Sequence, residues 1–220
     1  MAYDIDTCDR YMDELLDKMG GDYFPLAVKF GRFVTAAYEF IRENAKKLEI
    51  DQEASDNIKP LIIRDTYALA AVVGSPGTYR MAEPVNYLRT ISIYPFAVVN
   101  TVKTRLARKV HIVKEGQRLA YVRDPHRKPT PFEPHIYRLD NFFEIATNDT
   151  LNTYNEAEFA YVKKPTFGNI AVGTNLIVNL PDISIEIIMQ RTCEALRVTS
   201  ADDIANNVYN FDQTFGKTNR

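Results

Sequence analysis

Between Glu158 and Tyr209 the chain changes its hydrophobic period. EFAYVKKP reads as a strand, a Gly-punctuated connection leads to NLPD, and a long amphipathic segment follows. Strand side chains repeat every two residues and helix side chains every 3.6, so a β region hands over to a helix in this passage. The start of the amphipathic segment carries both signals. Ile183, Ile185 and Ile187 alternate as a strand would. Pro181, however, sits where a first helical turn tolerates proline. Asp182 and Glu186 lie at the positive end of a helix dipole, and Arg191 and Arg197 lie toward the other end. Ile185, Ile188, Thr192, Ala195 and Leu196 share one helical face, which predicts a helix. Ser200 with Asp203 resembles a capping box and predicts a further helix, with Ile204, Val208 and Phe211 as its apolar side. The tail GKTNR is expected to fray.

The N-terminal end is helical in pattern too. Tyr11, Met12, Leu15, Leu16 and Met19 make an apolar stripe, with Thr7 as its N-cap and Gly20-Gly21 as its stop. After Pro25, Phe30, Phe33, Val34, Ala37, Tyr38, Ile41, Ala45 and Leu48 form a longer stripe, with Lys29, Arg32 and Glu39 off it. These two helices predict an antiparallel hairpin. DQEASDN (Asp51 to Asn57) reads as a polar linker.

From Ile58 the pattern is that of strands. KPLIIRDTYALAAVV predicts one bent strand or two short ones, ended by the turn cluster Gly74-Ser75-Pro76-Gly77. TISIYPFAVVN, the basic segment Val102 to Val113 with Val110 and Ile112 alternating, RLAYVR (118–123), HIYRLDNFFEIAT (135–147) and Glu158 to Lys163 are further strand candidates. Asp124 to Pro134 holds four prolines and reads as a loop or arm. Asn148 to Asn155 reads as a polar turn. The order helices, strands, helices is that of an α+β protein rather than an alternating βαβ fold. The expected parts are an N-terminal helical hairpin at 1–57, a mainly antiparallel β region at 58–180 with a Pro-rich arm at about 124–134, and C-terminal helices at 181–220 that pack with the N-terminal ones.

Composition narrows the class. Two hundred and twenty residues suffice for one domain or two small ones. A formal charge of −2 demands neither nucleic acid nor an anionic membrane as partner. No run approaches a membrane span, and the acidic, amphipathic start is unlike a signal peptide. Cys8 and Cys193 are the only cysteines and are read as free thiols.

Motifs of chemistry are sparse. His111, His126 and His135 lie far apart in sequence and form no HxxxH or HxH pair, so they are read as ordinary histidines and no metal or cofactor is expected. There is no GxSxG elbow, and GSPGT and GNIAVG match no phosphate loop and read as turns. The acidic residues of the first helix suit its dipole or solvent. One charge feature stands out: between Val102 and Lys128 there are nine basic residues against two acidic ones. A solvated face or partner interface explains it, and a surface near DNA phosphate is the alternative. Tyr121 is its only aromatic, which argues against a platform for stacking single-stranded bases.

The order of the pieces resembles a known group. EPVNYLRTISIYP gives an acidic-Pro entry through Tyr87–Arg89 into an apolar strand. RDPHRKPTPFEPHIYRLDNFFEI gives a Pro-rich arm and then a strand. AYVKKP followed by NLPDISIEIIMQRTCEALRV closes with a helix. This is similar to the head-to-tail adaptor and tail-ring (connector) proteins of tailed bacteriophages, in particular of the short-tailed crAss-like type. The resemblance implies a non-enzymatic virion protein, assembled in the host bacterial cytoplasm. It implies a ring, twelvefold in expectation, that contacts the portal and neighbouring tail proteins. Double-stranded DNA would pass through without sequence-specific contact, and no membrane is involved. In that setting Arg123, His126, Arg127, Pro129, Pro131 and Phe132 of the arm are interface candidates. Lys103, Arg105, Arg108 and Lys109 face either the lumen or an acidic partner. The competing readings are a nucleic-acid-binding protein using residues 102–128, marked by salt-sensitive duplex binding, and an enzyme with a spatially assembled site, marked by a deep polar pocket with perturbed titratable groups.

Overall fold

The structure is a computed structural model that describes residues 4–20, 23–48, 51–108, 110–124, 126–168 and 177–215. The fold is α+β, and the chain divides into two compact units. One is made of Met1–Leu61 with Pro165–Arg220, and the other is Ile62–Lys164.

The first unit is helical. Helix α1 (Ile5–Lys18) buries Ile5, Cys8, Met12 and Leu16, residues three and four apart that line one face. Its cap is Asp4 rather than the expected Thr7: the Asp4 carboxylate accepts from the Thr7 backbone N–H at 2.6 Å. Gly20 ends the helix in the left-handed region, at φ 65°. Helix α2 (Leu26–Lys47) starts after Pro25 and buries Phe33, Ala36, Ala37, Phe40, Ile41 and Ala45. Asp51 to Asn57 is a correction: it is not a linker but most of helix α3 (Gln52–Ile58). Asp51 caps it through the Glu53 N–H at 3.0 Å, and Ala54 and Ile58, four residues apart, bury the only apolar stripe that so polar a heptad has.

The C-terminal helix packs with the N-terminal ones as expected, burying Ile185, Ile188, Met189, Thr192, Cys193 and Leu196. It is a single helix, α5 (Asp182–Phe215), where two were predicted. No glycine or proline interrupts 182–215, so Ser200 is accommodated inside the helix rather than capping a new one. Ala195, placed on the packed face by the sequence, is exposed. A two-stranded ribbon, β10 (Thr166–Phe167) with β11 (Ile177–Val178), precedes the helix. Most of the GNIAVG turn (169–173) and the tail 216–220 lie outside the described residues.

The second unit contains two sheets. KPLIIRDTYALAAVV is two strands, β1 (Ile62–Ala68) and β2 (Ala70–Ala71), which enter different sheets. β3 (Thr78–Ala82), unmarked in the sequence reading, follows the Gly74–Gly77 turn. β4 (Tyr87–Val99) is long because YLR joins the apolar run. Its Pro95 sits opposite Ala157 of β9 but lies beyond the reach of β5 (Val102–Thr104), which pairs only with Ala97–Val99, so no β4–β5 ladder bond is lost to the missing N–H. Asn100 and Thr101 link β4 to β5, both at positive φ, as a two-residue hairpin requires. β6 (His111–Val113) follows.

RLAYVR is another correction: it forms helix α4 (Arg118–Arg123), not a strand. Arg, Leu and Ala favour helix, and Arg118 anchors it through Glu144 and the Tyr137 ring. HIYRLDNFFEIAT is a hairpin rather than one strand. β7 (His135–Leu139) and β8 (Phe142–Ala146) turn at Asp140-Asn141, polar turn residues within the alternating run. β9 (Thr153–Lys163) begins earlier than predicted and takes over the end of the polar turn. The sheet orders are β1-β9-β4-β5 and β2-β3-β8-β7-β6, antiparallel except for the parallel pair β6–β7. Met81, Tyr87, Ile93, Ile136, Phe143, Ile145, Ala157, Phe159 and Tyr161 fill the space between the two sheets.

Candidate functional site

The parallel pairing of β6 with β7 sets His111 directly opposite His135. Their rings meet edge to face with centroids 5.6 Å apart. α4 then lays Tyr121 against His135, at 5.3 Å and nearly perpendicular. The Pro-rich segment closes the other side and brings in His126, Arg127, Lys128 and Glu133. The result is a cleft of about 190 Å³ lined by all three histidines of the chain. Separation in sequence concealed this cluster. The signal that reveals it is the β6–β7 register, which no spacing rule predicts.

The Pro-rich segment is held to its own unit by backbone bonds. Arg108 N–H donates to the Phe132 carbonyl at 2.8 Å, and His111 N–H to that of Pro134 at 3.0 Å. Thr130 and Glu133 exchange backbone hydrogen bonds at 3.1 and 3.2 Å. His126 takes its place in a turn in which its N–H donates to the Asp124 carboxylate at 2.9 Å.

Protonation in the cleft is governed by crowding. His135 is buried, with Nδ1 3.3 Å from the Tyr137 hydroxyl. Burial lowers its pKa, the neighbouring His111 lowers it further, and Glu133 works in the opposite direction. His111 Nε2 lies 3.8 Å from Glu133. Among the described residues no three His, Cys, Asp or Glu side chains converge to hold a metal ion.

The residues singled out in the sequence are divided by the structure. His126 and Arg127 line the cleft and are exposed, with Arg127 paired to Asp124 at 3.3 Å and set over the Tyr121 ring. Pro129 is buried, Pro131 half-buried and Phe132 exposed. Arg123 ends α4. The basic stretch has intrachain partners. Lys103 pairs with Glu156 at 2.6 Å, Arg105 lies 3.3 Å over the Tyr94 ring, and Arg108 lies over Phe132. Lys109 lies outside the described residues.

No protein-family model matches the chain, and no curated protein matches it.

A second concavity, about 220 Å³, lies in the helical unit between α2, α3 and α5. Glu43 and Arg191 pair across it at 2.8 Å, with Arg191 over Phe40. Lys47, Asp51 and Glu53 also line it, so charges of both signs are interleaved there.

Both thiols lie in the helical unit and are buried and free. Burial pushes Cys8 up to about 12 and Cys193 up to about 11, which makes both poor nucleophiles.

Proposed function

We propose that this chain is a structural ring subunit of the head-to-tail connector of a tailed bacteriophage, through which the genome passes. The observation that carries this reading is the chain order: N-terminal helices and a C-terminal helix share one packed unit, and a contiguous β unit is inserted between them in sequence. That is the order on which the resemblance of the YLR entry, the Pro-rich segment and the YVKKP-to-LPD-to-helix passage rests. The 34-residue helix α5, half as long again as the 22-residue α2, is the element proposed to reach a stacked neighbour.

The state of the basic stretch supports a conduit over a DNA-binding module. Lys103 and Arg118 are ion-paired to Glu156 and Glu144 within the chain, which reduces the number of cations offered to phosphate. A channel lining that gripped many phosphates would brake transit. Arg123, His126, Arg127 and Phe132 are the proposed subunit contacts, and the portal and adjoining tail rings are the proposed partners.

Mass photometry of the purified chain, alone and mixed with a candidate portal ring, tests this. Twelve copies of a 25.2 kDa chain make a particle near 300 kDa. Such a particle, or mass added to the portal in multiples of the chain, is the expected result. A monomer that ignores the portal overturns the proposal.

A further inference from the structure

We propose that the histidine-lined cleft binds a small oxyanion of the phosphate class, and that it binds more tightly as pH falls. This goes beyond ring assembly and does not rest on it. The first ground is charge. Arg127 and Lys128 bring two basic side chains, and Glu133 is the only carboxylate lining the cleft. Three imidazoles add ring N–H donors and, once protonated, three further charges. The second ground is size. At about 190 Å³ the cleft is smaller than the roughly 300–1,000 Å³ typical of pockets for drug-sized ligands, and suits an ion with a few waters. The third is the donor set. No three of these His and Glu side chains converge as metal ligands do, so the cluster is not arranged for a cation.

The pH dependence follows from the same geometry. His135 faces His111 from β6, Tyr121 from α4, Tyr137 from its own strand and Glu133 from the Pro-rich segment. Behind Tyr137 stand Arg118 and Glu144, paired to each other, and behind Arg127 stands Asp124. Charging both His111 and His135 places like charges side by side, beside Arg127 and Lys128, with Glu133 in the cleft and Asp124 behind Arg127 as the carboxylates in compensation. An anion in the cleft removes that conflict. By linkage, binding raises the imidazole pKa values, and affinity falls as pH rises through the histidine range.

The chain offers a direct probe, because every imidazole signal in its spectrum comes from this cleft. Sulfate is the ligand of choice, since its charge is constant where phosphate itself titrates. Histidine ring carbon–proton spectra would be recorded against pH with sulfate, and with chloride at matched ionic strength. The expected result is saturable movement of all three ring signals and a rise in apparent pKa. A rise of one unit at a single histidine corresponds to about tenfold weaker binding at pH 8 than at pH 5.5, and rises at several histidines multiply. Arg127→Ala with Lys128→Ala, both on the exposed surface, should abolish saturation while the circular dichroism spectrum is unchanged; His126→Gln alone should weaken it. Signals that ignore sulfate, affinity equal at both pH values, or binding undiminished in the double variant would each overturn the proposal.

Discussion

Lys29 is fully buried, with its ammonium 2.5 Å from Asp9 and 2.6 Å from Asp13 on the facing helix. Breaking a buried pair leaves uncompensated charge, typically a loss of about 3–5 kcal/mol; the two carboxylates are partly in water, so Lys29→Met should lose about 2–3 kcal/mol by urea denaturation. Replacing Asp9 and Asp13 by Leu in that variant should recover most of the loss. Burial pulls the Lys29 pKa down, but hydrogen bonds from the ammonium to Asp13 and Asp9 outweigh it and leave it raised. The pair's contribution is therefore complete below the ordinary lysine value of about 10.4 and lost as pH rises through the higher folded value. On the alkaline side, the stability gap between native and Lys29→Met should close in that window. Sequence pattern placed Lys29 off the apolar stripe, because a one-helix pattern assigns lysine to water and cannot see two carboxylates on the neighbouring helix. Asp149 is a second case, hidden in what read as a polar turn. Burial works against its ionised form. Hydrogen bonds from the Asn152 side chain, the Leu151 N–H, the Tyr154 hydroxyl and the Asn152 N–H outweigh that and lower its pKa. This stabilisation is present above about pH 3.9 and lost as pH falls through the lower folded value. Asp149→Ala should destabilise by about 2–4 kcal/mol at neutral pH, with the gap closing in acid. Gly77, at φ 72°, admits the loop closely: a Cβ there would sit 2.8 Å from the Asp149 nitrogen.

Elements were legible wherever one face of a long segment met a core, and illegible where six or seven residues were fixed by tertiary contacts. α1 and α2 carry clear helical stripes, the helical face of α5 outweighs the alternation at its start, and β4 carries a long apolar run. RLAYVR, a short apolar run between two arginines, reads as a strand; helix-favouring Arg, Leu and Ala, with Arg118 reaching Glu144 and Tyr137, make it a helix. DQEASDN shows how little apolar content a seven-residue helix needs when a cap and two buried side chains suffice. Among the long elements β9 organises the β unit, pairing with β1 on one side and β4 on the other. Its Phe159 ring meets Tyr67, Tyr87, Phe143 and Tyr161, with centroids 4.9 to 6.1 Å away, and Phe143 belongs to the opposite sheet. Phe159→Ala removes the hub of that cluster and leaves a cavity between the sheets. A loss of about 3–5 kcal/mol is expected in thermal and urea unfolding, while Phe132→Ala on the exposed segment should stay within about 0.5 kcal/mol.

At the scale of the whole molecule, chain order and core placement make an asymmetric prediction. Residues 62–164 are contiguous and contain both sheets with their apolar core. The helical unit is discontinuous: α1 and α2 bury their stripes against α5, which lies more than a hundred residues further along the chain. A segment that holds its own core can fold alone, whereas a helix pair deprived of its third helix exposes the face that stabilised it. The fragment 62–164 should therefore unfold cooperatively and show the dispersed amide spectrum of a packed β protein. The fragment 1–61 should be largely unfolded and should regain helix when joined by a short linker to 165–220. The histidine cleft lies entirely within 62–164, so the fragment should keep the three ring signals at their full-length positions. If 62–164 proves molten, or if 1–61 folds alone, the division into a self-sufficient β unit and a helical unit closed by both chain ends is wrong. Full-length assembly into rings together with a fragment 62–164 that stays monomeric would place the closing contacts on the helical unit; rings from the fragment would place them on the β unit and its Pro-rich segment.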